Sequence, residues 1–180
     1  MTDANGSVRP KNSPMTERVT RTYDYARPTD DMRNGAAIAG LEGLRRMLRG
    51  ELPPPPITDT LGFTLVEVER GRAVFTGTPA EWQYNPLGSV HGGWVATVLD
   101  SALGCAVHTM LDGETGYTTV DLQVRFLRPI FRTTGVLRAE GTVVHAGNKV
   151  ATAEGKLVGG DKIFATATAS CLILRPERRT

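Results

Sequence analysis

Two features of the stretch YNPLGSVHGGWVATVLDSALGCA (residues 84–106) could do chemistry: the pair Gly92-Gly93 behind His91, and the single acid Asp100. An apolar run with helical spacing follows the glycines, which places them at a helix N-terminus. There the first backbone N–H groups lack intrahelical partners and the macrodipole is positive. Such a terminus can stabilise a carbonyl oxygen that turns negative under nucleophilic attack, and an absent side chain allows close approach. Asp100 supplies a carboxylate that can act as nucleophile or as a base for water. The two lie eight residues apart, about 12 Å along an α-helix, too far for one reacting carbon. If they share a substrate, Gly92 belongs to one copy of the helix and Asp100 to another, antiparallel across a two-fold axis. Gly92, Ala96, Asp100 and Gly104 recur every fourth residue, so small side chains flank the acid on one stripe. The structural alternative for Asp100 is a cap or an ion pair with an arginine elsewhere in the chain.

These groups need a scaffold, and hydrophobic periodicity supplies its outline. Within a helix expected over 91–111, Trp94, Val95, Val98, Leu99, Ala102, Leu103, Ala106 and Val107 form a broad apolar arc able to fill the concave face of a sheet. Two strand-like segments precede it, 63–69 and 72–78, joined at Arg70-Gly71 as a hairpin. Four follow, 117–128, 134–145, 149–158 and 162–174, separated by short turns. The order β-β-α-β-β-β-β predicts an α+β fold, a six-stranded antiparallel sheet wrapped around one long central helix. Upstream, residues 1–35 read as a flexible polar arm, 36–50 as an extra helix, and the four prolines 53–56 as an extended linker. The compact domain is expected over 57–175.

Composition excludes more than it assigns. The 180 residues are 40% hydrophobic and 22% charged with a net charge of +2, and the charges are mixed in sign, so no nucleic-acid partner is expected. No apolar stretch reaches the roughly 20 residues that span a bilayer, and the N-terminus lacks the apolar segment of a signal peptide, which predicts no membrane partner and a cytoplasmic location. Cys105 and Cys171 lie in apolar runs and read as small hydrophobes. His91, Cys105, His108 and His145 match no common zinc spacing, so no metal or other cofactor is expected. Gly88-Ser89-Val90-His91-Gly92 puts its serine in the wrong place for a nucleophile elbow, and phosphate-binding glycine fingerprints are missing.

With Asn85, the run Val90-His91-Gly92-Gly93, Leu99-Asp100 and the strand TTVDLQVRFLRPI (residues 118–130), the sequence resembles the hotdog-fold acyl-CoA thioesterases, particularly the phenylacetate-pathway, PaaI-like group. The resemblance covers roughly residues 57–175 and implies the hotdog fold, an acyl-CoA substrate, and a homodimer with shared active sites assembling as a dimer of dimers. It assigns Gly92 as the donor to the thioester carbonyl and Asp100 of the partner subunit as nucleophile or general base. It implies that Asn85 orients the water or the carboxylate, that His91 lies near the thioester sulfur, and that Thr119 stands where relatives hold the attacking water with a Ser or Thr. Structural alternatives stand beside these roles: a helix cap for His91, a turn at Asn85-Pro86, and an ordinary strand residue for Thr119. Gly93 and Trp94 are candidates to contact substrate, Trp94 being equally suited to the core. Arg125, Arg128 and Lys149 are candidate cations for the phosphates of coenzyme A. A hotdog enoyl-thioester hydratase or dehydratase and a non-catalytic acyl-CoA sensor are the competing readings.

Overall fold

The computed structural model describes residues 17–28 and 38–175. The rest of the arm expected at 1–35, and the first two residues of the helix expected at 36–50, lie outside the described residues. The elements are α1 (Gly40–Leu48), α2 (Pro56–Leu61), β1 (Phe63–Glu69), β2 (Arg72–Gly77), α3 (Gly92–His108), β3 (Gly116–Phe126), β4 (Leu137–Ala146), β5 (Val150–Gly159) and β6 (Lys162–Leu174). The six strands form one antiparallel sheet in the order β1-β2-β4-β5-β6-β3. The chain crosses from β2 to the far edge through α3, and the sheet wraps that helix, as the pattern predicts.

Small residues let the helix sit close. Along β6, Ala165, Ala167, Ala169, Cys171 and Ile173 alternate inward and are buried, the period-two signature of a sheet with one covered face. On β4, a Cβ added at Gly141 would lie 2.4 Å from the Ala102 carbonyl oxygen of α3, so only glycine admits the helix backbone there. Gly141→Ala is therefore expected to cost about 3 kcal/mol, the upper end of overpacking penalties, as a lowered denaturation midpoint with an unchanged slope against urea. A loss under 0.5 kcal/mol would show that the helix yields freely.

The proline run differs from expectation at its end. Pro55 is extended, but Pro56 opens α2 as its first helical residue, where its missing N–H costs nothing and its fixed φ suits the helix. This helix ends at Gly62 with φ +69, and its last carbonyl, of Leu61, accepts from Trp94 Nε1 at 2.8 Å and Gln83 Nε2 at 3.0 Å. In the described part of the arm, Arg21 donates to the carbonyls of Thr60 (2.8 Å) and Asp59 (3.0 Å) and lies 3.9 Å over the Trp82 ring.

α1 meets the C-terminal end of α3: Gly40 N–H donates to the Leu111 carbonyl at 3.1 Å, and a Cβ at Gly40 would overlap the His108 carbonyl. His108 is thereby enclosed, beside the Tyr117 ring at 5.6 Å, and its Nδ1 has no hydrogen-bond partner among the described residues. Burial pushes this imidazole below its ordinary value of 6.5, outweighing the helix C-terminus, which favours an imidazolium. A neutral group in the fold that protonates more readily when unfolded removes stability as pH falls from about 6.5 toward its lowered folded value. His108→Phe is expected to flatten the pH dependence of stability in that window, by at most about 1.4 kcal/mol per pH unit. Parallel curves for the two proteins between pH 7.5 and 5.5 would contradict it.

Candidate active site

The strand β2 and a short 3-10 turn, Glu81–Gln83, lead into the loop that delivers the chain to α3. Asn85 builds this loop. Its Oδ1 accepts from the backbone N–H of Leu87 (2.9 Å) and Ser89 (3.3 Å), and its Nδ2 donates to Ser89 Oγ at 3.1 Å, an Asx turn that opens the reversal at Pro86. His91 is the N-cap of α3, with φ −62 and ψ 137, and its Nδ1 accepts from the Gly93 N–H at 2.8 Å. Gly93, named from the sequence as a substrate contact, thus already has its donor engaged. The N–H of Gly92 has no partner among the described residues.

A cavity of about 380 Å³ opens at this helix terminus, bordered by Asn85, Ser89, Gly92, Phe126, Arg128 and Ile130. The structure adds Ser89 and Phe126 to the residues singled out from the sequence. Phe126 continues the inward side of β3 after Leu122 and Val124, a period-two signal readable in retrospect. Its ring rim lies 3.0 Å from where a Cβ at Gly92 would be, so the room left by the missing side chain is shared with an aromatic ring that is itself 57% exposed. Trp94, a second substrate candidate, does not reach the cavity. It is buried and hydrogen-bonded to Leu61, because the helical turn directs it into the sheet's concave face.

Asp100 lies two turns further along α3, half-buried, and accepts a hydrogen bond from Thr119 Oγ1 of β3 at 3.0 Å. No arginine or lysine pairs with it among the described residues, so the ion-pair alternative finds no partner. Its charge is felt at Cys105, Tyr117 and Cys171. Burial, with the Asp100 charge adding to it, pushes the Cys105 thiol up to about 12, and burial likewise holds Tyr117 and Cys171 above their ordinary values. The thiol and phenol groups that sense the Asp100 charge are thus held in their protonated forms. The small-residue stripe has a structural part as well, since a Cβ at Gly104 would approach the Tyr117 hydroxyl to 2.8 Å.

Within one chain the fold brings Thr119 to Asp100, and Asn85 and Arg128 to Gly92, but it does not bring Asp100 to Gly92. Asp100 and Thr119 are not among the residues bordering the Gly92 cavity. Of the three candidate cations, Arg128 borders this cavity and donates to the Ile163 carbonyl. Arg125 projects from β3 into a separate depression with Glu140, Glu154 and Lys156, and Lys149 lies in the β4–β5 turn; neither reaches the cavity in its own chain. No group of acids, histidines and cysteines with metal-ligand geometry occurs among the described residues, and no helix among them is long and apolar enough to cross a membrane.

In sequence and fold the chain is similar to known proteins. The model of the thioesterase superfamily matches residues 87–164, which run from the loop before Gly92 to the start of β6. The medium/long-chain acyl-CoA thioesterase YigI of Salmonella typhimurium is 31% identical over 137 residues, spanning 66% of this chain and 85% of YigI. Among solved structures, a phenylacetic acid degradation-related protein of Ralstonia eutropha JMP134 superposes with a TM-score of 0.65 at 33% identity, covering 71% of this chain and 97% of that one. The PaaI protein of the Escherichia coli phenylacetic acid degradation operon has the same fold, with a TM-score of 0.65 at 22% identity over 76% of this chain and 94% of its own. With its wrapped helix, its antiparallel sheet and these relatives, the chain belongs to the thioesterase superfamily of hotdog-fold proteins.

Proposed function

We propose that the protein hydrolyses acyl-CoA thioesters at sites shared by two copies of the chain, each site combining Gly92 of one copy with Asp100 of the partner subunit. The observation that carries this reading is the separation itself. A free helix-terminal donor borders a cavity without an acid, while the carboxylate waits two turns away on the same helix, held by Thr119. Antiparallel pairing of two such helices gives each donor a carboxylate and each carboxylate a donor. That YigI is a medium/long-chain acyl-CoA thioesterase supports the substrate class.

In this mechanism the thioester carbonyl accepts from the Gly92 N–H at the positive end of α3, which stabilises the oxyanion as the carbonyl carbon becomes tetrahedral. Asp100 of the partner subunit takes a proton from water as the new C–O bond forms, or attacks the carbonyl carbon directly and is released by water. Collapse breaks the C–S bond, and coenzyme A leaves as a thiol after taking up the proton. Thioesters suit this small set of groups because sulfur is a good leaving group. Thr119 positions the carboxylate or the attacking water, Asn85 and His91 shape the helix entrance beside the thioester sulfur, and Arg128 is the cation closest to hand for the carrier's phosphates. Arg125 and Lys149 could contact the carrier only across copies. Assembly as a dimer of dimers, in the cytoplasm and without a cofactor, completes the reading.

Thiol release from aryl, short-chain and long-chain acyl-CoAs tests it. Turnover on at least one class, with free acid as the product, is the expected result. Saturable binding without thiol release on any of them would overturn it in favour of a sensor, and hydration of an enoyl-CoA with the thioester intact would favour a hydratase.

A further inference from the structure

Three arginines without ion-pair partners among the described residues gather at the opposite end of the central helix. A cavity of about 450 Å³ opens between α1, the β1–β2 turn and the C-terminal end of α3, and Arg45, Arg70 and Arg175 border it together. They come from three separate parts of the chain: the last turn of α1, the hairpin turn, and the residue after β6. Several arginines elsewhere on the surface meet acids. Arg72 and Arg138 share Glu67, and Arg72 also holds Glu140; Arg46 and Arg49 hold Glu51. The three at the cavity have no ion-pair partner among the described residues. Two acids border the cavity as well: Glu42 is paired with Arg49 at 2.9 Å, and Asp112 accepts from the Thr115 hydroxyl, a neutral donor that leaves its charge in place.

The walls are built rather than incidental. Thr109, buried to 1% exposure, accepts from the Gly71 N–H at 2.7 Å and donates to the Ala106 carbonyl, which ties the hairpin turn carrying Arg70 to the helix end. The bond from Gly40 to Leu111 ties α1, carrying Arg45, to the same point. Leu41, Met110 and Leu111 border the same cavity and supply its apolar lining. Complementing the helix C-terminus would account for about half a charge, whereas three guanidinium groups border the cavity against Asp112 and an already paired Glu42. Three forked donors together with an apolar lining suit a ligand that carries phosphate at one end and a flat apolar body at the other.

We infer that this cavity binds a phosphorylated nucleoside, with Arg45, Arg70 and Arg175 holding its phosphate groups and Leu41, Met110 and Leu111 covering its base. The same chemistry is available from two sources, the nucleotide end of coenzyme A itself or a separate nucleotide. Thr109 is nine residues beyond Asp100, about 14 Å along the helix, so a ligand here sits on the element that carries the carboxylate. The binding claim stands apart from thioester hydrolysis; only the assignment to the substrate's own nucleotide rests on the proposed function.

The test is calorimetric titration of the full chain with adenosine 3′,5′-bisphosphate, ADP and inorganic phosphate, repeated with the Arg70→Ala, Arg175→Ala double variant and with Arg45→Ala. All three side chains are exposed, so the fold should survive, and circular dichroism checks it. The expected result is saturable binding of at least one nucleotide, tighter than that of phosphate alone, weakened at least tenfold in the double variant and weakened by added salt. Absence of saturable binding up to millimolar concentration, or equal binding by wild type and double variant, overturns the inference. Where binding is lost in the variant, kinetics identify the source. A raised KM for acyl-CoA but not for the same acyl group on N-acetylcysteamine, which lacks the nucleotide, assigns the cavity to the substrate's own nucleotide. Unchanged KM for both assigns it to a separate nucleotide.

Discussion

Asp100→Asn should keep the fold and the assembly while losing thioester hydrolysis by about 1,000-fold, within the usual range for a removed general base and larger if the carboxylate is the nucleophile. Asparagine has the same shape, and its amide oxygen can still accept from Thr119, so the 3.0 Å contact survives and stability changes little. What disappears is the basic group, in surroundings where Cys105 and Tyr117 are held protonated and cannot replace it. The KM should move much less than kcat, because the carboxylate acts on the reacting atoms rather than on the carrier. Thiol release measured beside sedimentation and urea denaturation checks all three statements. A variant that is fully folded, equally assembled and still within tenfold of wild type would remove Asp100 from the mechanism.

The second large effect concerns the donor, which is a backbone group and can be deleted only by proline. Gly92 is the first helical residue of α3, the position where proline is best tolerated. His91 before it already has the extended backbone, φ −62 and ψ 137, that a residue preceding proline requires. The exposed Phe126 ring must yield by a small displacement. Gly92→Pro is therefore expected to fold, and to lose about 100- to 1,000-fold in kcat, the measured range for one oxyanion donor. Combining the two variants tests the sharing of sites. Coexpressed Asp100→Asn and Gly92→Pro chains that assort at random form about half mixed dimers, each with one intact site, which should restore about a quarter of wild-type activity. Activity that stays at the level of the two parents would mean that donor and acid act within one chain or not together at all.

Much of this was legible before any coordinates. The apolar arc of α3, the alternating strands and the turn residues between them specify a sheet around a helix, because burial patterns of period 3.6 and period two have few other solutions. The helix terminus at Gly92 could be read from its glycines and the run that follows. Three parts were not legible for physical reasons. Pro56 reads as linker because its run of prolines is extended up to the one position where proline also starts a helix. Trp94 reads equally as core or cavity wall, since direction around a helix is known only once its neighbours are placed. The ring of Phe126 over Gly92 depends on how far β3 extends beside α3, a tertiary quantity.

By itself the sequence determined the chemistry on offer: a helix-terminal donor, one carboxylate eight residues on, and an expectation of no metal or cofactor. Spacing along a helix is a local property, so the expectation of a second copy, should donor and acid share a substrate, also comes from it. Tertiary structure decided which groups meet. It set Thr119 on Asp100, closed the Asn85 loop beside the Gly92 cavity, buried Trp94, and gathered Arg45, Arg70 and Arg175 from three distant segments around one opening. Such meetings are long-range, fixed by how the sheet wraps the helix, and residues that are far apart in the chain carry no local mark of them.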